Sequence, residues 1–369
     1  VKVLTIIGTR PEAIKLAPVI LELNKNPNIE NITCLTGQHT DLASNILKNF
    51  NISNYLNIEA RASSFRISQL LSNIIMGLEP ILNEQRPDIV LVHGDTTSSL
   101  AGCLAGFYNK IDVAHVEAGL RTGNISSPWP EEGNRKLISS VSKYHFAPTE
   151  KSRLNLINEN VSDESILVTG NTVIDALFLA TKITDDESVF SYSGPKIRKN
   201  KKNILVTSHR RENFGDGIKN ICLALNEITE MKKDVDIFYA LHSNPLAADL
   251  AKEILNKNNQ IKILSPQDYF DFIYLMKNVD IILTDSGGIQ EEAPSLNKPV
   301  LVMRQFTERP EAVDAGCIEI VGTNKQRIVE KTTELLENSA SYQKMTYGSN
   351  PYGDGHAAKR IVSFLMSRK

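Results

Sequence analysis

The sequence predicts an α/β protein built from two doubly wound parallel sheets. Three observations carry that expectation. Short apolar runs alternate with longer amphipathic segments along the chain; the pattern breaks once, in a polar stretch at 185–202, and then restarts; and 369 residues are enough for two domains at roughly 150 residues each. Uninterrupted short apolar runs suit strands buried on both faces, as in a parallel sheet covered by helices.

In the first half the spacing predicts strands at 1–7, 32–35, 89–92, 113–116, 144–147 and 166–168, with helices at 11–24, 42–50, 67–82, 98–108, 132–141 and 150–158. Pro18 lies inside the first helical pattern and is expected to bend or restart it. The stretch 185–202 carries Gly194-Pro195 and a basic cluster, and it reads as a solvated linker rather than an anion site. Beyond it come strands at 204–207, 237–241, 261–264, 281–284, 300–303 and 318–321, separated by helices at 218–231, 246–257, 269–277, 287–295 and 325–338. Open parallel sheets bind ligands at the carboxyl ends of their strands, so two such edges, opposed, would make an interdomain cleft.

Composition excludes more than it names. Lysines and arginines number 41 against 43 aspartates and glutamates, a net charge of −2, which implies neither a nucleic-acid nor a polybasic membrane partner. Four scattered cysteines without a CxxC pair imply neither a disulfide framework nor a zinc ribbon, and fit a reduced, cytoplasmic compartment. No apolar run is long enough to span a bilayer, and 1–7 is too short for a signal sequence. No HExxH, Walker loop or GxGxxG occurs, so no metal or nicotinamide cofactor is implied. His39, His145 and His356 read as structural or surface residues.

The densest chemistry follows predicted strands. Gly8-Thr9-Arg10-Pro11-Glu12 combines a turn, a helix start and a cation, an anion site or a plain capped helix. In His93-Gly94-Asp95-Thr96-Thr97, Asp95 suits either an N-cap, its commonest role there, or acid/base work. Glu117 falls at the exit of the next strand, and Glu131 and Glu132 open a helix after a loop stiffened by Pro128-Trp129-Pro130. Three carboxylates at sites predicted to converge (Glu117, Glu131, Glu132) would raise one another's pKa values, which helps keep a general acid protonated. In the second half, Ser208-His209-Arg210-Arg211 favours phosphate, as does the Ser286-Gly287-Gly288 helix start, with Glu292 within reach of a hydroxylated group. Arg304 and Arg309 add cations near the same edge. The residues thus place acids in the first half and a phosphate cradle in the second, which points to a nucleoside diphosphate carrying a reactive group.

The runs GTRPEAIKLAP (8–18), VHGDTTSSLAG (92–102), HVEAGLRTGN (115–124), SPWPEEGNRKL (127–137), HRREN (209–213), DSGGIQEEAPSLNKPVLVMR (285–304), TERPEA (307–312) and NPYGDGHAAKRI (350–361) resemble the bacterial non-hydrolysing UDP-N-acetylglucosamine 2-epimerases over essentially the whole chain. The resemblance implies the GT-B architecture, with a Rossmann-like domain at 1–170 plus a returning C-terminal helix at 355–369, and a UDP-binding domain at 171–354. It implies inversion at carbon 2 of UDP-N-acetylglucosamine by anti elimination of UDP through 2-acetamidoglucal and re-addition. Asp95, Glu117 and Glu131 match the catalytic carboxylates, and His209 a histidine assisting departure of the diphosphate. Arg10, Lys15, Arg135, Ser286, Gly287, Gly288, Glu292 and Arg309 match substrate contacts. Gln38, Glu132, Arg210 and His242 match a second, activating UDP-N-acetylglucosamine site. A cytoplasmic homodimer without cofactor is implied. Thr40-Asp41, Ser208 and Gln305-Phe306 depart from the family pattern, and Phe306 is a candidate to alter the sugar pocket. Competing readings are a 2-epimerase for a UDP-diacetamido-uronic acid, a GT-B glycosyltransferase, a hydrolysing epimerase and a non-catalytic nucleotide-sugar sensor.

Overall fold

The computed structural model describes residues 1–58, 60, 66–241, 245–348 and 350–367. The chain divides into two units, Val1–Phe178 with Tyr352–Lys369, and Leu179–Pro351. The division falls later than 170 and earlier than 355, because the segment following residue 170 is a helix whose first half packs with the first unit.

The first unit runs β1 (Lys2–Ile7), α1 (Arg10–Asn24), β2 (Glu30–Leu35), α2 (Thr40–Asn49), β3 (Leu56–Asn57), α3 (Ile67–Gln85), β4 (Ile89–His93), α4 (Thr97–Tyr108), β5 (Asp112–Val116), α5 (Glu131–Val141), β6 (Tyr144–Ala147), α6 (Glu150–Asn158), β7 (Ile166–Val168) and α7 (Thr172–Asp185). Its seven strands are ordered β3-β2-β1-β4-β5-β6-β7 and all pair in parallel. The order reverses between β1 and β4, which makes their carboxyl ends the topological switch point where such sheets bind ligands. One core lies between the sheet and helices α3 and α4, around Leu4, Ile6, Ile74, Leu78, Val90 and Val92. Burying each such side chain contributes about 1.5–3 kcal/mol before conformational entropy is charged. Gly102 lets α4 lie close on the sheet, since a Cβ there would come within 3.0 Å of Ile6.

The second unit continues with β8 (Lys202–Thr207), α8 (Asp216–Met231), β9 (Val235–Ala240), α9 (Pro245–Leu255), β10 (Ile261–Leu264), α10 (Tyr269–Asn278), β11 (Ile281–Thr284), α11 (Gly287–Glu292), β12 (Val300–Val302), α12 (Pro310–Asp314), β13 (Ile318–Ile320), α13 (Lys325–Glu337) and α14 (Ser339–Thr346). Six parallel strands are ordered β10-β9-β8-β11-β12-β13, with the reversal between β8 and β11. Its core gathers Val206, Ile221, Leu225, Ile237, Tyr239 and Leu283. The last helix, α15 (Ala357–Ser367), belongs to the first unit. Asp175 on α7 accepts from the amides of Ala357 and Ala358, capping that helix, and Phe364 packs edge-on against Tyr144 and Phe146.

Two expectations are corrected, one is refined, and four elements are additional to those expected. α1 is continuous through Pro18, which sits buried within it. β3, α12 and α14 are only two, five and eight residues long, too short to show a period, whereas α7 carries apolar residues at helical spacing (Val173, Ile174, Leu177, Ala180) and is simply not among the expected elements. The 287–295 segment is α11 followed by a short 3-10 turn at Ala293–Leu296, because Pro294 cannot donate into an α-helical ladder. The 185–202 stretch is largely exposed and irregular, as expected of a solvated linker, but two contacts tie it down: Tyr192 stacks on Tyr274 with ring centroids 4.7 Å apart, and Arg198 donates to the buried Asp236 at 2.6 Å.

Candidate active site

In the first unit, the loops after β1 and β4 are stapled by one buried carboxylate. Glu12 accepts from the amides of Gly8 (3.0 Å) and Thr9 (2.6 Å), and from the hydroxyls of Thr9 (2.8 Å), Thr96 (2.7 Å) and Ser99 (2.6 Å). Burial raises its pKa, and the donors oppose that rise. The sequence reading passed over Glu12, although Thr9-x-x-Glu12 has capping-box spacing and the structure forms that box.

The N-cap of α4 is Thr96, whose hydroxyl accepts from the Ser99 amide; it is not Asp95. The Asp95 carboxylate is therefore available to Arg135, which grips Oδ2 through Nε (2.9 Å) and Nη2 (2.6 Å). Arg135 also reaches Glu132 at 3.0 Å through Nη1. Glu132 is fully buried and accepts the amides of Thr122 and Gly123 with its other oxygen. Its carboxylate thus holds the 117–131 loop in place. Glu131, one turn before Arg135, has no hydrogen-bond or ion-pair partner among the described residues.

Glu117 leaves β5 in the left-handed region, at φ +64°. Its Oε1 takes the Lys15 ammonium and the Asn171 side-chain amide, the latter at 3.0 Å, while Oε2 lies 3.7 Å from Nε2 of His93. Burial works against its charge, but Lys15 above all outweighs burial and brings its pKa down to about 2. Lys15 thus pairs with a catalytic candidate. Burial pushes His93 down to about 4 and His115 to about 3, so both imidazoles are neutral near pH 7. Arg10 is exposed at the start of α1. Gln38 accepts from the Ser98 hydroxyl at 2.7 Å.

In the second unit, the buried Asp285 organises the loop after β8. It accepts from the amides of His209 (2.8 Å) and Arg210 (2.9 Å) and from the side chain of Asn213 (2.9 Å), and it faces Nδ1 of His209 at 3.2 Å. That contact orients the ring across the switch point. Ser286 occupies the N-cap position of α11 without a side-chain cap bond, and its amide donates to the Thr284 hydroxyl at 3.0 Å. The guanidinium ends of Arg210 and Arg309 lie 3.6 and 3.7 Å from where a Cβ on Gly287 would be. Two cations thus flank a helix start whose glycines leave the backbone open, an arrangement suited to a diphosphate. Arg309 also pairs with the buried Glu291, and Glu308 bridges Arg210 (3.7 Å) and Arg304 (3.3 Å). Glu292 accepts from the Tyr269 hydroxyl at 3.3 Å and is buried. Phe306 is exposed, and His242 lies outside the described residues. Among the described residues no group of three or more His, Cys, Asp or Glu is arranged to hold a metal.

A family model described as UDP-N-acetylglucosamine 2-epimerase matches residues 21–366. The chain belongs to the UDP-N-acetylglucosamine 2-epimerase family. It is 50% identical to the UDP-N-acetylglucosamine 2-epimerase of Escherichia coli K12, covering 100% of this chain and 99% of that one. The crystal structure of the Neisseria meningitidis enzyme bound to UDP-GlcNAc superposes with a TM-score of 0.89 at 47% identity, over the full length of both chains. The Methanocaldococcus jannaschii enzyme, solved in complex with UDP-GlcNAc and UDP, superposes at 0.78 with 36% identity, again over both full lengths. Asn171, which donates to Glu117, is absent from the sequence expectations; its signal there is a Gly-Asn-Thr turn one residue beyond β7.

Proposed function

We propose that this chain interconverts UDP-N-acetylglucosamine and UDP-N-acetylmannosamine by anti elimination and re-addition of UDP. The observation that carries the reading is the division of chemistry between the two sheets: carboxylates held by cations at the strand exits of the first, a cationic helix start with an oriented histidine at the switch point of the second. Carbon 2 has no activating carbonyl, so removing its proton is feasible only as the C1–oxygen bond breaks and UDP takes the electron pair. His209 and the cations around Gly287 stabilise the departing diphosphate. The 2-acetamidoglucal is held while a proton is delivered to the other face of carbon 2 and UDP returns to carbon 1. Asp95, Glu117 and Glu131 share these proton transfers. Arg10, Lys15, Arg135 and Arg309 line the substrate, and Glu292 meets the ribose.

A homodimeric, cytoplasmic enzyme, activated by its own substrate through Gln38, Glu132, Arg210 and His242, completes the reading, with the product supplied to cell-surface polysaccharide. Glu132 would act on such an activator through Arg135, whose guanidinium it accepts from at 3.0 Å. The test is incubation with UDP-N-acetylglucosamine in D2O, followed by NMR. UDP-N-acetylmannosamine carrying deuterium at carbon 2 is expected, and absence of exchange at carbon 2 would exclude this route. Free N-acetylmannosamine would instead indicate a hydrolysing enzyme.

A further inference from the structure

We propose that Asn171 is a positioning residue that aims Glu117 by fixing one of its oxygens, an inference that rests on the reading of Glu117 as catalytic. Glu117 needs such a hold. It leaves the strand through a left-handed backbone, and its charge partner, Lys15, is a point charge on a flexible stem that attracts without setting direction. Asn171 sets direction. It is buried, and its Oδ1 accepts the Val173 amide at 3.1 Å, closing the first turn of α7. Its own amide donates to the Tyr352 carbonyl at 2.7 Å. With the oxygen end of the side chain committed to Val173, the NH2 end has one orientation, and that orientation delivers a hydrogen bond to Oε1 of Glu117 at 3.0 Å.

The two carboxylate oxygens are therefore inequivalent. Oε1 receives both Lys15 and Asn171. Oε2 faces Nε2 of His93 at 3.7 Å, beyond hydrogen-bond reach, so it is the oxygen left to exchange a proton with the sugar. Gly170 and Gly353 allow this support to form: their backbones approach so closely that a Cβ on Gly170 would lie 3.3 Å from the Cα of Gly353. The Tyr352 carbonyl that accepts from Asn171 belongs to the same returning segment, which thus underpins Glu117.

The deciding variant is Asn171→Asp. It keeps the shape and the oxygen that accepts from Val173, so a capping role would leave it benign. It replaces only the donor facing Glu117, and replaces it with a repelling oxygen. Expected is a fall in kcat of about 100-fold, the cost of misplacing a reacting group by about 1 Å, with KM for UDP-N-acetylglucosamine and the affinity for UDP unchanged. Wild-type kcat in folded Asn171→Asp, or a rise in KM alone, overturns the inference. Asn171→Ser, which also keeps a capping oxygen, gives the same readout if the aspartate variant does not fold. Glu117→Gln is assayed beside them. If it retains full exchange at carbon 2, the reading of Glu117 falls; if it is inactive while Asn171→Asp and Asn171→Ser turn over normally, only the role of Asn171 falls.

Discussion

Moving from about pH 7.5 to about pH 5.5 should cost the first unit up to about 4 kcal/mol of stability, through three buried imidazoles. His93, His115 and His145 lie on the adjacent strands β4, β5 and β6, with His115 and His145 directly opposed in the sheet register. All three are buried, and burial pushes them from an ordinary 6.5 down to about 4, about 3 and about 4. The folded pKa lies below the unfolded one, so between the two values the unfolded chain binds more protons, and stability falls as pH falls. It is fully present above 6.5 and drains away toward the folded values. For each histidine, RT ln[(1 + 10)/(1 + 0.1)] over that interval is about 1.4 kcal/mol, and three give about 4. Glu12, whose pKa burial raises, acts in the opposite sense and makes this an upper figure. The assay is denaturant unfolding at both pH values, followed by hydrogen exchange of the β5 amides, which report the first unit alone. His145→Gln should remove about a third of the pH dependence. A wild-type loss below about 1 kcal/mol, or the same loss in the variant, would refute the claim that these imidazoles are neutral in the folded chain.

Three further outcomes are expected. Arg135→Met strips the buried Glu132 of its cation and should cost about 3 kcal/mol by thermal denaturation, part of it recovered by adding Glu132→Gln, since an unpaired buried charge is the penalty. Gly8→Ala would set a Cβ 2.0 Å from the Ser98 hydroxyl, and should lower the melting temperature by the equivalent of about 1–3 kcal/mol; a Gly8→Ala/Ser98→Gly double variant should recover most of the loss, and no recovery would place the strain elsewhere. His209→Asn should reduce turnover about 100–1000-fold while UDP still binds by calorimetry, and full turnover in that variant would remove the histidine from the reaction.

Local signals in the chain suffice for the two sheets except the two-residue edge strand β3. Consecutive buried residues in β4, β8 and β11 cannot alternate with solvent, so their apolar runs declare a covered parallel sheet before any coordinates are seen. The same signals place Arg10, Asp95, Glu117, His209 and Ser286 at strand exits, where open sheets bind ligands. Which partner each side chain takes is not local. Asp95 has the composition of a cap, and only the neighbouring Thr96 oxygen and the reach of Arg135 from α5, 40 positions along the chain, turn it outward. Lys15 and Asn171 meet at Glu117 across separations of 102 and 54 residues. Asp285 shapes the His209 loop from 76 residues away. Sequence by itself determined most of the elements and the chemical inventory, because strand burial and turn formation depend on neighbouring residues; β3, α7, α12 and α14 emerged only in the structure. The tertiary structure alone decided the pairings, because charge compensation and hydrogen-bond geometry fall off within a few ångströms and depend on which strand ends the topology sets side by side.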